Sequence, residues 1–129
     1  MPEETAMSTR EVCLLIGHGG EVLWCDASDS PNQLPDSRAR WEAIWRLRDV
    51  LEEVAHSHPD GPLGFSAEDE STTAALTSAL GKPLRFSVVA PEGMVARLRG
   101  RDVLVAAEPW WAEALRSASG IRHTPSGLA

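Results

Sequence analysis

Cysteine is scarce in this chain. Cys13 and Cys25 are the only two, which excludes a disulfide framework and a four-cysteine zinc site. Long apolar runs are missing as well. Even a strong run such as residues 103–107 (VLVAA) falls far short of the roughly 20 residues that span a bilayer. Positive charge is in deficit, with 12 Lys and Arg against 19 Asp and Glu, a net charge of −7 and a pI near 5.0. A phosphate-binding partner needs a dominant positive field, so nucleic acid is not expected as the main ligand. The start, MPEETAMSTR, lacks the charged-then-apolar pattern of a secretory leader. The expectation is therefore a cytoplasmic protein with no membrane partner. Repeats and low-complexity segments are also absent.

A length of 129 residues with 43% hydrophobic content suits one domain with one core. The reading along the chain places that domain at 9–119, between a flexible N-terminus (1–8) and a flexible tail (120–129). Residues 11–17 (EVCLLIG) read as a strand, His18-Gly19-Gly20 as its turn, and 21–25 (EVLWC) as the returning strand. A turn centred on Gly19 sets Cys13 opposite Cys25, and a reducing compartment favours two buried thiols there. The Asp-, Ser- and Pro-rich stretch 26–37 reads as a loop. Asp36 or Ser37 then caps a helix starting near Arg38, in which Trp41, Ile44, Trp45, Arg48 and Leu51 recur at helical spacing. Core packing is the expected role of Trp41 and Trp45.

Residues 53–58 form the next expected strand, stopped by Pro59, which has no amide to donate. A helix follows over 67–80, closed by Gly81 and Pro83. Strands over 84–90, 94–98 and 103–107 come next, with Pro91-Glu92-Gly93 turning between the first two. Pro109 opens a last short helix carrying Trp110 and Trp111. Arg97, Arg99 and Arg101 alternate as if on one solvated strand face, with an acidic docking patch as the second meaning. The order β-β-α-β-α-β-β-β-α implies an α/β (α+β) fold, a single mixed sheet flanked by helices.

The stretch His56-Ser57-His58-Pro59, six residues, Ser66, two residues, Asp69 carries the chemistry. In a strand, residues i and i+2 point to one side, so His56 and His58 project together from a strand end. Asp69 falls in the first turn of the following helix, at the same sheet edge. Two imidazoles and a carboxylate suit zinc and leave a fourth position open, where water can ionise near neutral pH. Ser66-x-x-Asp69 is also the form of a helix capping box, a role compatible with a site because a capped helix start holds both side chains. All five positions at this spacing arise by chance well under roughly once in 10⁴ such chains.

HSHPDGPLGFSAED closely resembles the H-x-H-P-x6-S-x-x-D signature of the JAMM (MPN-plus) zinc metalloproteases, the compact bacterial members above all. The resemblance implies a JAB/MPN-like fold, similar in outline to cytidine deaminases. It implies zinc held by His56, His58 and Asp69, with Ser66 holding the oxyanion. It also implies a Glu from an upstream strand as general base. EVCLLIG resembles the family's E-x-C-G-L-L and points to Glu11, although Leu14 stands where the family has Gly. Glu21, Glu53, Glu68 and Asp60 remain alternatives for that role. Relatives carry a helix before the Glu strand. Here only ten residues precede Glu11, so the final helix or a partner would cover that sheet face. The resemblance further implies hydrolysis of a peptide or isopeptide bond, after the glycine tail of a ubiquitin-like or sulfur-carrier protein. Gly61, Gly64 and Phe65 either line a channel for that tail or only shape the turn.

Three other readings stand beside this one. A non-catalytic MPN scaffold typically lacks the ligands that are present here. A zinc deaminase needs a C-x-x-C pair, which the chain does not have. A regulatory module built on Arg97 to Arg101 has no positive support.

Overall fold

The computed structural model describes residues 9–28 and 37–121. The expected flexible N-terminus (1–8), the tail from 122 and loop residues 29–36, Asp36 among them, lie outside the described residues. The elements are β1 (Val12–Ile16), a 3-10 turn (His18–Gly20), β2 (Val22–Ala27), α1 (Arg38–Arg46), β3 (Glu53–Ser57), α2 (Ala67–Leu80), β4 (Arg85–Ala90), β5 (Gly93–Leu98), β6 (Arg101–Leu104) and α3 (Trp110–Ser119). The strands make one sheet in the order β2-β1-β3-β4-β5-β6. It is mixed because β3 and β4 run parallel while the other neighbours are antiparallel. The expected α+β class and element order are both present.

Alternation along β1 decides which side of the sheet each helix takes. Val12, Leu14 and Ile16 join Ala55, Val89 and Met94 on one face, against Trp111, Ala112 and Leu115 of α3. Cys13 and Leu15 point to the other face, with Val54 and Phe86, and meet Ala43 and Ile44 of α1 and Leu76 of α2. Each large apolar side chain buried this way is worth about 1.5–3 kcal/mol, so Trp111 and Leu115 fix α3 firmly. The final helix thus covers the face for which the sequence left a choice between helix and partner. Arg116 lies buried within α3, donating to the carbonyls of Ala90 and Gly93 and to Glu108 and Glu113. A buried cation is tolerated when it is paired in this way. Gly120, at φ 78°, and the Ile121 amide close the helix by bonding back to residues 116 and 117.

Three sequence expectations need correcting. The stripe Trp41, Ile44, Trp45, Arg48 and Leu51, of which Ile44 and Leu51 are buried core with Trp41 packed against it, was expected in one helix. Instead α1 ends at Arg46, because Glu52 N–H already bonds to the Ile16 carbonyl and draws the chain into the sheet. The face it buries is Arg40, Ala43 and Ile44, with Arg40 paired to Asp26 on β2 (3.1 Å). Trp41 is left half-buried and Trp45 56% exposed, its ring covered only by Arg48 at 4.1 Å.

The cysteines do not face each other. A register shift between Leu15 and Ile16 pairs Leu14 with Cys25 and Cys13 with Asp26. One-residue slips swap faces, so Cys13 is buried and Cys25 exposed.

The three arginines do not share a strand face. Leu98 pairs with Arg101, so Arg99 and Gly100 form a two-residue hairpin turn with positive φ at both (55° and 80°). That tight turn also starts β6 at Arg101, earlier than expected.

Candidate metal centre

The site lies where β3 ends and α2 begins. Val54 and His56 share the sheet face of Cys13, and the chain carries His58 one step past β3 on the same side. Pro59 lies in the turn beyond it, and Gly61, at φ 72°, brings the backbone round so that Gly61 N–H bonds to the His58 carbonyl (3.0 Å). This turn delivers the Pro62 carbonyl to the imidazole, where His58 Nδ1–H donates to it at 2.9 Å. The bond fixes the tautomer and leaves the Nε2 lone pair facing into the cleft.

Ser66 caps α2, accepting from the Asp69 amide at 3.1 Å, while Asp69 Oδ2 accepts from the Ser66 amide at 2.8 Å. The capping box is complete. Ser66 Oγ accepts in that bond, which leaves its hydroxyl proton to donate towards the cleft.

His56 Nε2, His58 Nε2 and the Asp69 carboxylate converge. The two imidazole nitrogens lie 3.1 Å apart, His56 Nε2 is 3.1 Å from Asp69 Oδ1, and His58 Nε2 is 3.2 Å from Asp69 Oδ2. All three side chains are largely buried, at 13%, 7% and 17% exposure. Two imidazole nitrogens facing each other beside a carboxylate require a cation among them, a proton or a metal ion. Ligands at about 2.0–2.1 Å from a tetrahedral ion are separated by about 3.3 Å, and the 3.1 Å between the two imidazole nitrogens is close to that. The residues therefore fit a metal ion, and the group can hold one.

Electrostatics follow the same arrangement. Burial pushes the Asp69 carboxyl up, but both imidazoles and the Ser66 amide overcome it and hold it far below the usual carboxylate range. Burial pulls His58 down, yet the Asp69 bond, the Pro62 carbonyl and the Glu11 charge leave it above its ordinary value.

Glu11 stands beside this group. Cys13 pairs with His56, and continuing that antiparallel register by two residues sets Glu11 level with His58. Its side chain lines the same cleft as the three ligands and Ser66. Burial pushes its pKa up to about 7, with Asp69 and Glu68 adding to the rise and His58 opposing it. The other carboxylates proposed for the role stand differently. Glu21 is exposed at the hairpin turn and does not line the cleft. Glu53 is occupied by Ser87 and Arg85. Asp60 and Glu68 line the cleft but are exposed. Of the channel candidates, Gly61 and Phe65 line the cleft, whereas Gly64 is not among the lining residues. Cys13 also lines it, but burial pushes that thiol up to about 12, so it is no nucleophile at neutral pH.

Two supports carry no signal in the sequence. Ser57, between the histidines, points to the opposite face, accepts from Val12 N–H at 2.9 Å and shares a 2.6 Å hydroxyl bond with Ser119. This buried pair fixes the backbone next to Glu11. Arg97 binds Glu70 of α2 and Asp102 of β6 and lies over the Phe65 ring at 4.3 Å. It ties the start of α2 to the β5-β6 hairpin. Both contacts join residues far apart in the chain, and neither residue type is unusual for a solvated strand.

Compared with known proteins, the chain matches no family model and no curated protein sequence. Among the described residues, no helix is long and apolar enough to cross a membrane.

Proposed function

We propose that this protein is a zinc-dependent hydrolase of the JAMM type that cuts a peptide or isopeptide bond. One observation carries the reading: one ligand atom from each of His56, His58 and Asp69, all within 4.8 Å of one another, in a cleft shared with a buried glutamate that the sheet register holds beside them. Two neutral imidazoles and one carboxylate are the donor set that zinc prefers, and three protein ligands leave a coordination position open. Zinc held by His56, His58 and Asp69 supplies Lewis acidity, polarising an amide carbonyl and making water acidic enough to ionise near neutral pH.

The chain's own residues then handle the protons. Glu11, which burial holds above its ordinary value in the metal-free protein, takes a proton from the attacking water. As the new C–O bond forms, the Ser66 hydroxyl donates to the developing oxyanion. Glu11 passes its proton to the leaving nitrogen as the C–N bond breaks, yielding a carboxylate and an amine. No covalent intermediate is needed, in keeping with the protonated Cys13. The substrate class proposed from the JAMM resemblance is the glycine tail of a ubiquitin-like or sulfur-carrier protein, held in the cytoplasm.

Zinc content and cleavage of ubiquitin-like fusions, measured together on wild type and Glu11→Gln, test this reading. One bound zinc with cleavage abolished by Glu11→Gln supports it. No bound zinc returns the chain to the scaffold alternative, and full activity in Glu11→Gln removes Glu11 as base.

A further inference from the structure

Glu11 and His58 both lie beyond the ladder that joins their strands. The β1–β3 pairing ends at Cys13 and His56, two residues short of each. Past that point the histidine strand turns to other partners. His58 N–H bonds to the Val89 carbonyl of β4 (2.8 Å), and its ring to the Pro62 carbonyl. The backbone around Glu11 is held from elsewhere, its carbonyl by Ser28 N–H (2.9 Å) and the Arg10 amide by the Ser119 carbonyl (3.1 Å). At this level Val12 N–H reaches across to the Ser57 hydroxyl (2.9 Å).

Ser57 stands between the two histidines, so alternation puts its side chain on the other face of the sheet. Ser57 and Ser119 are fully buried. Their hydroxyls lie 2.6 Å apart, and Ser119 also bonds to the Leu115 carbonyl (2.7 Å). Each hydroxyl has one proton to give, so the run has a direction: Val12 N–H to Ser57, Ser57 to Ser119, Ser119 to the carbonyl. Donor and acceptor are both used, which fixes the Ser57 rotamer within a close-packed interior that transmits position. Arg10 Nε adds a bond to the Ala118 carbonyl (3.1 Å). The end of α3 thus grips both strands.

We infer that Ser57 is a positioning residue: its hydroxyl, locked by Ser119, sets Glu11 against His56 and His58 from the far side of the sheet. This extends the hydrolase reading, from which Glu11 takes its role as base. The ligands have supports of their own in Pro62 and the α2 cap. Loss of the hydroxyl therefore displaces Glu11 and leaves the ligands in place.

Ser57→Ala tests this by two readouts, with Ser119→Ala expected to give the same pattern at smaller size. In the metal-free protein, hydrogen exchange followed by NMR should show the Val12 amide released about tenfold or more, while the Leu14 and Leu15 amides keep their rates. In the zinc-loaded protein, kcat for a ubiquitin-like fusion should fall about tenfold or more, with KM and zinc affinity within about twofold of wild type. A serine that only stabilises the fold gives another pattern: all three amides speed up together, and kcat per bound zinc is unchanged. That result overturns the positioning role and upholds the hydrolase. Weakened zinc binding with kcat unchanged overturns it too, by assigning Ser57 to the ligands. Wild type that cleaves nothing overturns the hydrolase, and the exchange rates then decide whether the hydroxyl holds the Glu11 backbone. If Ser57→Ala does not fold, Ser119→Ala decides by the same readouts.

Discussion

Glu11 and Ser66 each do two things, and substitution can separate them. Glu11 is buried at 7% exposure with a pKa of about 7 against 4.5 for a free glutamate. The folded state thus holds its proton more tightly than the unfolded chain does. The stability tied to that proton is fully present below about pH 4.5 and is lost as pH rises through 7. Glu11→Gln should therefore stabilise the metal-free protein at pH 8, by on the order of 2–3 kcal/mol, and change little at pH 4. Urea denaturation at the two pH values measures this, and equal effects at both contradict the buried, protonated glutamate. With zinc bound, the same substitution should lower kcat at least about 10²-fold while zinc content stays at one equivalent. Ser66 caps α2 and is the proposed oxyanion donor. Ser66→Gly keeps most of the cap, costing a few tenths of a kcal/mol, but removes the hydroxyl. Stability near wild type with activity down by about 10²-fold is the expected outcome. If activity survives, the serine is only a cap.

At the scale of elements, the site depends on how α2 is held. Leu76 is the one residue of α2 that is buried, so packing alone anchors this helix weakly. The capping box fixes its first turn, and Arg97 clamps it through Glu70, Phe65 and Asp102. Glu70 and Asp102 are 52% and 43% exposed, so solvent screens the pair and the direct stabilisation is about 1 kcal/mol. The larger consequence is positional. Arg97→Ala should raise the rate of zinc release about 10-fold, comparable to losing an outer partner of a metal ligand, with only a small drop in the urea midpoint. Stopped-flow transfer of zinc to a chromogenic chelator reads the rate. No change in release shows that α2 is held without the clamp.

For the whole molecule, much of the plan is legible in the chain. Several element boundaries follow from a local signal: Gly19-Gly20, Pro59, Gly81, Pro91-Glu92 and Pro109 each punctuate a run whose period is clear, whereas the end of α1 and the bounds of β6 do not. The three ligands are legible because strand alternation and the first helical turn fix where side chains point before any packing is known. What was not legible depends on partners distant in sequence. Trp45 has the spacing of a core residue, but α1 buries Arg40, Ala43 and Ile44 instead, with Arg40 paired to the distant Asp26, and Trp45 faces out. Cys25 looked buried because the shift between Leu15 and Ile16 leaves no trace in the sequence. Ser57 and Arg97 resemble solvated residues until Ser119 and Glu70 are placed against them. The cleft is likewise assembled from α1, α2 and strands β1, β3 and β4, so no single motif encodes it.

At the proposed metal centre protons and a metal ion would compete for the same groups, which would tie its occupancy to pH. His58 is held above its ordinary pKa in the metal-free protein, so binding must displace protons and affinity must fall as pH drops. Calorimetric titration of zinc into the metal-free protein in buffers of differing ionisation enthalpy, repeated with His56→Ala, tests the centre most directly. One equivalent of zinc should bind wild type with net proton release that grows from pH 8 to pH 6, and His56→Ala should weaken binding by about 10²-fold or more. Zinc that binds both proteins equally, or binds neither, contradicts a metal centre at His56, His58 and Asp69.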